Sequence, residues 1–176
     1  QALPTLVKGH LVADVVALDF SLNMLRAAKR RLFRRQAILL GADLERLPLA
    51  AEAVDFAWCN MALHWLSDPL PVFRELARVL APEGLLMFST LGPDTLKELR
   101  AAAGAAHVHA FLDMHDVGDL LVGAGFSAPV MDMEMLTLRY GDPARLVADL
   151  RASGQTNARL DRRREPAPRG LRQRLR

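Results

Sequence analysis

Apolar positions along this chain switch between short continuous runs and stripes at helical spacing, and that switching predicts a layered fold. Val15, Val16, Ala17 and Leu18 form a run rich in β-branched residues that ends on Asp19. Such a run suits a strand covered on both faces of a parallel sheet. Leu22, Met24, Leu25, Ala28 and Leu32 then make an apolar stripe, with Arg26, Lys29, Arg30 and Arg31 on the wet face and Ser21 placed to cap the first turn. Three further runs follow: "AILLGAD" (37–43) ends on Asp43, "AVDFAWCN" (53–60) ends on Asn60, and "LLMFSTL" covers 85–91. Asp68 followed by Pro69 is a strong helix start, and Leu70, Val72, Phe73, Leu76, Val79 and Leu80 keep helical spacing until "APEG" breaks it. The pattern predicts helices over 93–103 and 114–124, a strand in "VMDMEMLTLRY" (130–140), and a last helix opened by Pro143. This rhythm implies an α/β fold with a mostly parallel sheet and helices on both faces.

Bulk properties narrow the class. A chain of 176 residues, 51% of them hydrophobic, can bury a real core as one domain. No apolar run approaches the length of a membrane span, so no membrane partner is expected. The lone Cys59 excludes an internal disulfide framework and points to a reducing, cytoplasmic setting, with the thiol as a small buried hydrophobe. The net charge of +3 hides an asymmetry: residues 159–176 carry eight arginines against Asp161 and Glu165, leaving 15 basic and 18 acidic residues elsewhere. The expected organisation is a domain over 1–158 and a basic, poorly packed tail over 159–176. The tail's arginines could touch nucleic acid or an acidic protein. A helix parted from its neighbours accounts for them as well, and no nucleic-acid partner is expected.

Asp19 is the first residue with candidate chemistry. It stands where a strand opens into a helix, at the carboxyl edge of the predicted sheet, where open α/β sheets bind ligands. In dinucleotide-type sites such an acid grips ribose hydroxyls about 20 residues beyond a glycine-rich loop. Counting back from Asp19 meets only Gly9, with no G-x-G. The first strand and its loop are therefore expected before residue 1, the chain being a fragment. An ordinary surface aspartate after a core strand remains the alternative.

The run "LLGADLERLPLAAEAVDFAWCNMALHWLSDPLPVFRELARVLAPEGLLMFSTLGPDTLKELR" resembles the class I S-adenosylmethionine-dependent methyltransferases. More narrowly, "FSTLGPDTLKELR", "FLDMHDVGDLLVGAGFSAPVMDME" and "LRASGQTNAR" resemble the malonyl-acyl-carrier-protein O-methyltransferases of biotin synthesis. The likeness runs from about Leu11 to Arg159. It implies a Rossmann-like sheet lacking its first strand and glycine loop, with S-adenosylmethionine as cofactor and malonyl-acyl-carrier protein as substrate and partner of a monomeric enzyme. By the same resemblance, Asp19 would accept from the ribose hydroxyls, Phe20 and Met24 would flank the adenine, and Asp43 would accept from its amino group beside the backbone of Leu44. Asn60 and Met61 would lie beside the methionine part, and His64 and Trp65 are candidates for the substrate wall or for packing beneath a lid helix. No catalytic side chain is implied, because the malonyl carboxylate is already ionised at neutral pH, ordinary carboxyls titrating near ~4.

Other constellations point elsewhere or nowhere. His107, His109, Asp113, His115 and Asp116 could be read as metal ligands, but no second group supports them and helix capping explains the acids. Met131, Met133 and Met135 would share a strand face as packing residues or line an acyl channel. Two alternatives of other classes stay open: a methyltransferase-like assembly factor acting on a protein partner, and an inactive fragment.

Overall fold

The computed structural model describes residues 14–32, 37–104 and 108–153. In chain order these form β1 (Val16–Asp19), α1 (Leu22–Leu32), β2 (Ile38–Gly41), β3 (Val54–Asn60), a 3-10 turn (Leu63–Trp65), α2 (Leu70–Val79), β4 (Leu80–Ser89), α3 (Lys97–Ala103), α4 (Met114–Gly123) and α5 (Pro143–Ala152). The chain divides into two compact units, 1–57 with 71–85 and 58–70 with 86–176. The basic tail and His107 lie outside the described residues. Among the described residues no helix is long and apolar enough to cross a membrane.

In the first unit β1 and β2 pair in parallel, Val16 opposite Ile38 and Asp19 opposite Gly41. A parallel pair needs a crossover, and α1 supplies it. Ser21 opens α1, its hydroxyl accepting from the Met24 N–H at 3.4 Å and its carbonyl from the Leu25 N–H at 3.1 Å. Gly41 lets the helix close on the strand end: a Cβ there would meet Leu22 Cδ2 at 3.0 Å. Asp68 starts α2 by accepting from the Leu70 N–H at 3.0 Å. The apolar stripe of α2 is the densest part of the core, with Val72, Phe73 and Val79 essentially without solvent contact. Burying each is worth roughly 1.5–3 kcal/mol.

The second pair is β3 with β4. Backbone bonds from Glu52 to Arg78, Ala53 to Val79 and Met61 to Ser89 advance in the same sense along both segments, so these also run in parallel. In the second unit Ala102, Ala103, Val108, Val117 and Leu121 are buried. Asp113 caps α4, accepting from the His115 N–H at 2.9 Å and lying 2.7 Å from its Nδ1, which is the capping role expected of this acid. Asp142 caps α5 in the same way, through the Ala144 N–H at 2.9 Å.

Four expectations are corrected. The four strands form two separate two-stranded sheets among the described residues, not one hydrogen-bonded sheet. "APEG" does not separate α2 from β4 by a loop: the helix ends at Val79 and β4 begins at Leu80. The break is instead a kink inside β4, where Glu83 adopts φ 63° and a Cβ on Gly84 would meet the Ala81 carbonyl at 2.7 Å. The helix expected from residue 93 starts at Lys97, because Leu96 has φ 57° and residues 92–97 turn first, Thr95 N–H bonding the Gly92 carbonyl. Residues 130–140 form no strand, although their pattern alternates. A strand needs a ladder partner for its backbone groups, and this segment has none among the described residues. Val130, Leu136 and Leu138 are exposed, as are Met133 and Met135, so these two methionines are not core residues.

Candidate functional site

At the end of β1 the chain reverses from strand to helix, and Asp19 serves that reversal. Its Oδ1 accepts from the Ser21 N–H at 2.8 Å, fixing the carboxylate at the strand edge with its other oxygen unused by that bond. Asp19 is half-buried, whereas the adjoining Phe20 is 81% exposed and Met24, one turn into α1, is 58% exposed. Two apolar side chains in solvent beside a carboxylate are costly unless something flat and apolar covers them. Asp43 lies two residues past Gly41, which pairs with Asp19, so both acids stand at the carboxyl edge of the β1–β2 pair. Asp43 accepts from the Glu45 N–H at 3.0 Å through Oδ1 and forms an isolated bridge with Arg46, with Leu44 half-buried between them.

The loop carrying Asp43 is tied down from α2. Glu75 Oε1 accepts from the Leu47 N–H at 2.7 Å, while Arg78 donates to the Leu47 carbonyl at 3.1 Å and to both Glu75 oxygens. The Arg78 guanidinium, with the Leu47 N–H, holds the Glu75 carboxyl below its ordinary value of 4.5. Nothing local in the sequence announces this clamp, since its partners are 28 and 31 residues apart.

In the second unit the corresponding edge is the end of β3. Asn60 Oδ1 accepts from the Ser89 hydroxyl at 2.6 Å, and the Met61 N–H reaches the Ser89 carbonyl at 3.0 Å and its hydroxyl at 3.2 Å. Met61 holds φ 54°, a left-handed conformation unfavourable for a residue with a Cβ. The 3-10 turn follows at once. His64 is buried and Trp65 is 40% exposed, their rings 5.0 Å apart. Phe111 sets its edge against His64 at 6.2 Å and lies 5.0 Å from the His109 ring. Arg100 reaches this group from α3, donating to the Pro93 carbonyl at 2.9 Å and the His109 carbonyl at 3.1 Å. Cys59 sits beneath the edge, and burial pushes its thiol up to about 11 despite an opposing hydrogen bond at the Ala62 backbone. It is a packing residue, as expected, and no nucleophile.

The structure thus brings Asp19 and Asp43 together on one edge, and Asn60, Met61, His64 and Trp65 on another. Sequence reasoning did not find Ser89, Phe111 or the Glu75–Arg78 clamp. The hydroxyl in "FSTLG" was a signal, but only pairing of β3 with β4 gives it a partner.

Comparison with known proteins places this geometry in context. A family described as "Methyltransferase domain" matches residues 2–88. A malonyl-[acyl-carrier protein] O-methyltransferase of Methylovorus sp. (strain MP688) is 49% identical over 93% of this chain and 59% of its own length. One of the same name from Laribacter hongkongensis is 50% identical over 85% of this chain and 55% of its own. The chain spans little more than half the length of these relatives. Among solved structures, an S-adenosylmethionine-dependent methyltransferase from Mesorhizobium loti superposes with a TM-score of 0.57 at 22% identity, covering 85% of this chain and 76% of that one. At that identity it speaks for the fold alone.

Proposed function

We propose that this chain belongs to the class I S-adenosylmethionine-dependent methyltransferase family and forms most of the catalytic core of a monomeric, cytoplasmic malonyl-acyl-carrier-protein O-methyltransferase of biotin synthesis. The observation that carries this reading is the match of relatives bearing that name across nearly the whole chain.

The residues at the two strand edges fit the cofactor on their own chemistry. A half-buried carboxylate with an uncommitted oxygen, flanked by the exposed Phe20 and Met24, suits a ribose beside a flat heterocycle. In this reading Asp19 accepts from the ribose hydroxyls, Phe20 and Met24 cover the adenine, and Asp43 with the Leu44 backbone reads its amino edge. Asn60 and Met61 adjoin the methionine part, where the Ser89 bonds hold the backbone in its left-handed turn. His64 and Trp65 form part of the substrate wall. When bound, S-adenosylmethionine supplies an electrophilic methyl that passes to an oxygen nucleophile with departure of a neutral thioether.

The chain's own task is then binding, alignment and exclusion of water. The malonyl carboxylate needs no general base at neutral pH. The buried imidazole of His64 and the rings of Trp65 and Phe111 offer an apolar wall that removes water from that carboxylate. Lys97, exposed on α3, adds positive charge for an acidic carrier protein, whose approach such charge accelerates in a salt-sensitive way. Transfer of a labelled methyl group from S-adenosylmethionine to malonyl-carrier protein, with acetyl-carrier protein as control, tests the reading in the full-length protein. Labelling of the malonyl form alone is expected. Equal labelling of both, or of neither, overturns it.

A further inference from the structure

We propose that the Arg100 guanidinium recognises the free carboxylate of the acyl substrate, which makes Arg100 the specificity-determining residue of the second unit. The inference rests on the function proposed above and names the group that selects its substrate.

Three observations converge on Arg100. First, it is a half-buried cation without a counter-charge among the described residues. It donates to two neutral backbone carbonyls, of Pro93 and His109, and among the described residues no carboxylate lies within ion-pair distance of it. Arg78 makes the contrast: it is exposed, and it carries a bidentate bond to Glu75. A partly desolvated guanidinium with donors to spare is a poor structural choice unless an anion completes it.

Second, its two carbonyl bonds lead back by separate routes to the end of β3. Pro93 stands four residues after Ser89, which binds both Asn60 and Met61. The His109 ring lies tilted against Phe111, and Phe111 sets its edge against His64, three residues after Met61. Among the described residues, the partners of this guanidinium are thus tied to the edge where the methyl group is proposed to lie, Pro93 by four residues of chain and His109 through ring contacts.

Third, the bonds orient the fork without neutralising it. One N–H from each terminal nitrogen goes to a carbonyl, which leaves Nε–H and one N–H on each terminal nitrogen for a ligand. A guanidinium held in advance binds a planar carboxylate with little ordering cost, and its partial burial strengthens the attraction. A carboxylate oxygen has two lone pairs, so one accepting from Arg100 keeps the other for the methyl group. An acetyl group has no charge to offer and gains nothing from the site. Lys97, exposed on the same helix, lacks both the fork and the burial.

The test is calorimetric binding of malonyl-pantetheine and acetyl-pantetheine to the full-length protein saturated with S-adenosylhomocysteine, in wild type, Arg100→Gln and Arg100→Lys. Wild type should prefer the malonyl form. Arg100→Gln should weaken malonyl binding by roughly tenfold or more and leave acetyl binding within about twofold. Arg100→Lys, which keeps charge without the fork, should recover part of the preference. Affinity for S-adenosylhomocysteine reports folding, and should Arg100→Gln fail to fold, Arg100→Lys decides through its own malonyl-to-acetyl ratio. An equal loss for both thioesters would make Arg100 a structural clip and overturn the assignment, as would an undiminished malonyl preference in the variants. A wild type that prefers the malonyl thioester yet transfers no methyl to it would sink the proposed function and leave Arg100 as a carboxylate site.

Discussion

The ends of β1 and β3 are held in place by opposite means. Each closes an apolar strand on a polar residue and turns at once into helix. At β1 the support is local: Asp19 accepts from Ser21, two residues on, and Ser21 caps the helix it opens. At β3 it is remote: Asn60 accepts from Ser89, 29 residues away, and Met61 is held in a left-handed turn by that same serine. A local support forms with the turn itself. A remote one exists only after β4 has paired with β3. The first end is therefore robust to changes elsewhere, and the second depends on a tertiary contact.

The largest expected effect falls on the core of the first unit. Phe73 is 1% exposed in the core of that unit, and Phe73→Ala should cost about 3–5 kcal/mol in urea unfolding. A loss below about 1 kcal/mol would show that the α2 stripe is not the core on which the unit rests. Next comes Asp19→Ala, which should weaken S-adenosylhomocysteine binding in the full-length protein by about 1–3 kcal/mol through lost ribose hydrogen bonds. Its unfolding midpoint should barely move, because the bond lost within the fold is one short-range turn bond. Unchanged affinity would remove Asp19 from the site.

Ser89→Ala sharpens the comparison directly. It strips the hydroxyl shared by Asn60 and Met61 and should cost about 1–2 kcal/mol, read as a lower midpoint together with slower methyl transfer. Ser21→Ala removes a longer, exposed cap bond and should cost about 0.5–1 kcal/mol, with less effect on transfer. If the two serines prove equivalent in transfer, the distinction between local and remote support fails.

The smallest effect is set by pH. Glu75 is held below 4.5 in the folded chain by Arg78 and the Leu47 N–H. A carboxyl depressed on folding adds stability above its unfolded pKa and loses it as pH falls through the folded value. Acidification below about 4.5 should therefore lower the unfolding midpoint more in wild type than in Glu75→Gln. Because Arg78 is exposed and Glu75 only half-buried, the difference should also shrink in high salt. Identical acid profiles would show that the clamp on the Asp43 loop is not electrostatic.

Much of this molecule was set by the order of residues alone. The β1–α1–β2 unit, the Asp68 and Pro143 helix starts, the burial of Cys59, and the placing of Asp19 and Asn60 at strand ends, with Asp43 two residues beyond β2, all follow from short-range chemistry: apolar runs, caps and turns act within a few residues. The motifs that resemble methyltransferases lie on those same elements. Tertiary structure alone decided the rest. Residues 130–140 alternate like a strand, yet form none, because a strand is made by its neighbour's hydrogen bonds and not by its own pattern. Helix α3 starts late because Leu96 turns left-handed in a loop that Arg100 holds through the Pro93 carbonyl. Ser89, Glu75 and Arg100 are unremarkable polar residues in the sequence. Ser89 and Glu75 gain their roles from partners 29 and 28 residues away, and Arg100 from carbonyls 7 and 9 residues away, where only the folded chain brings donor to acceptor.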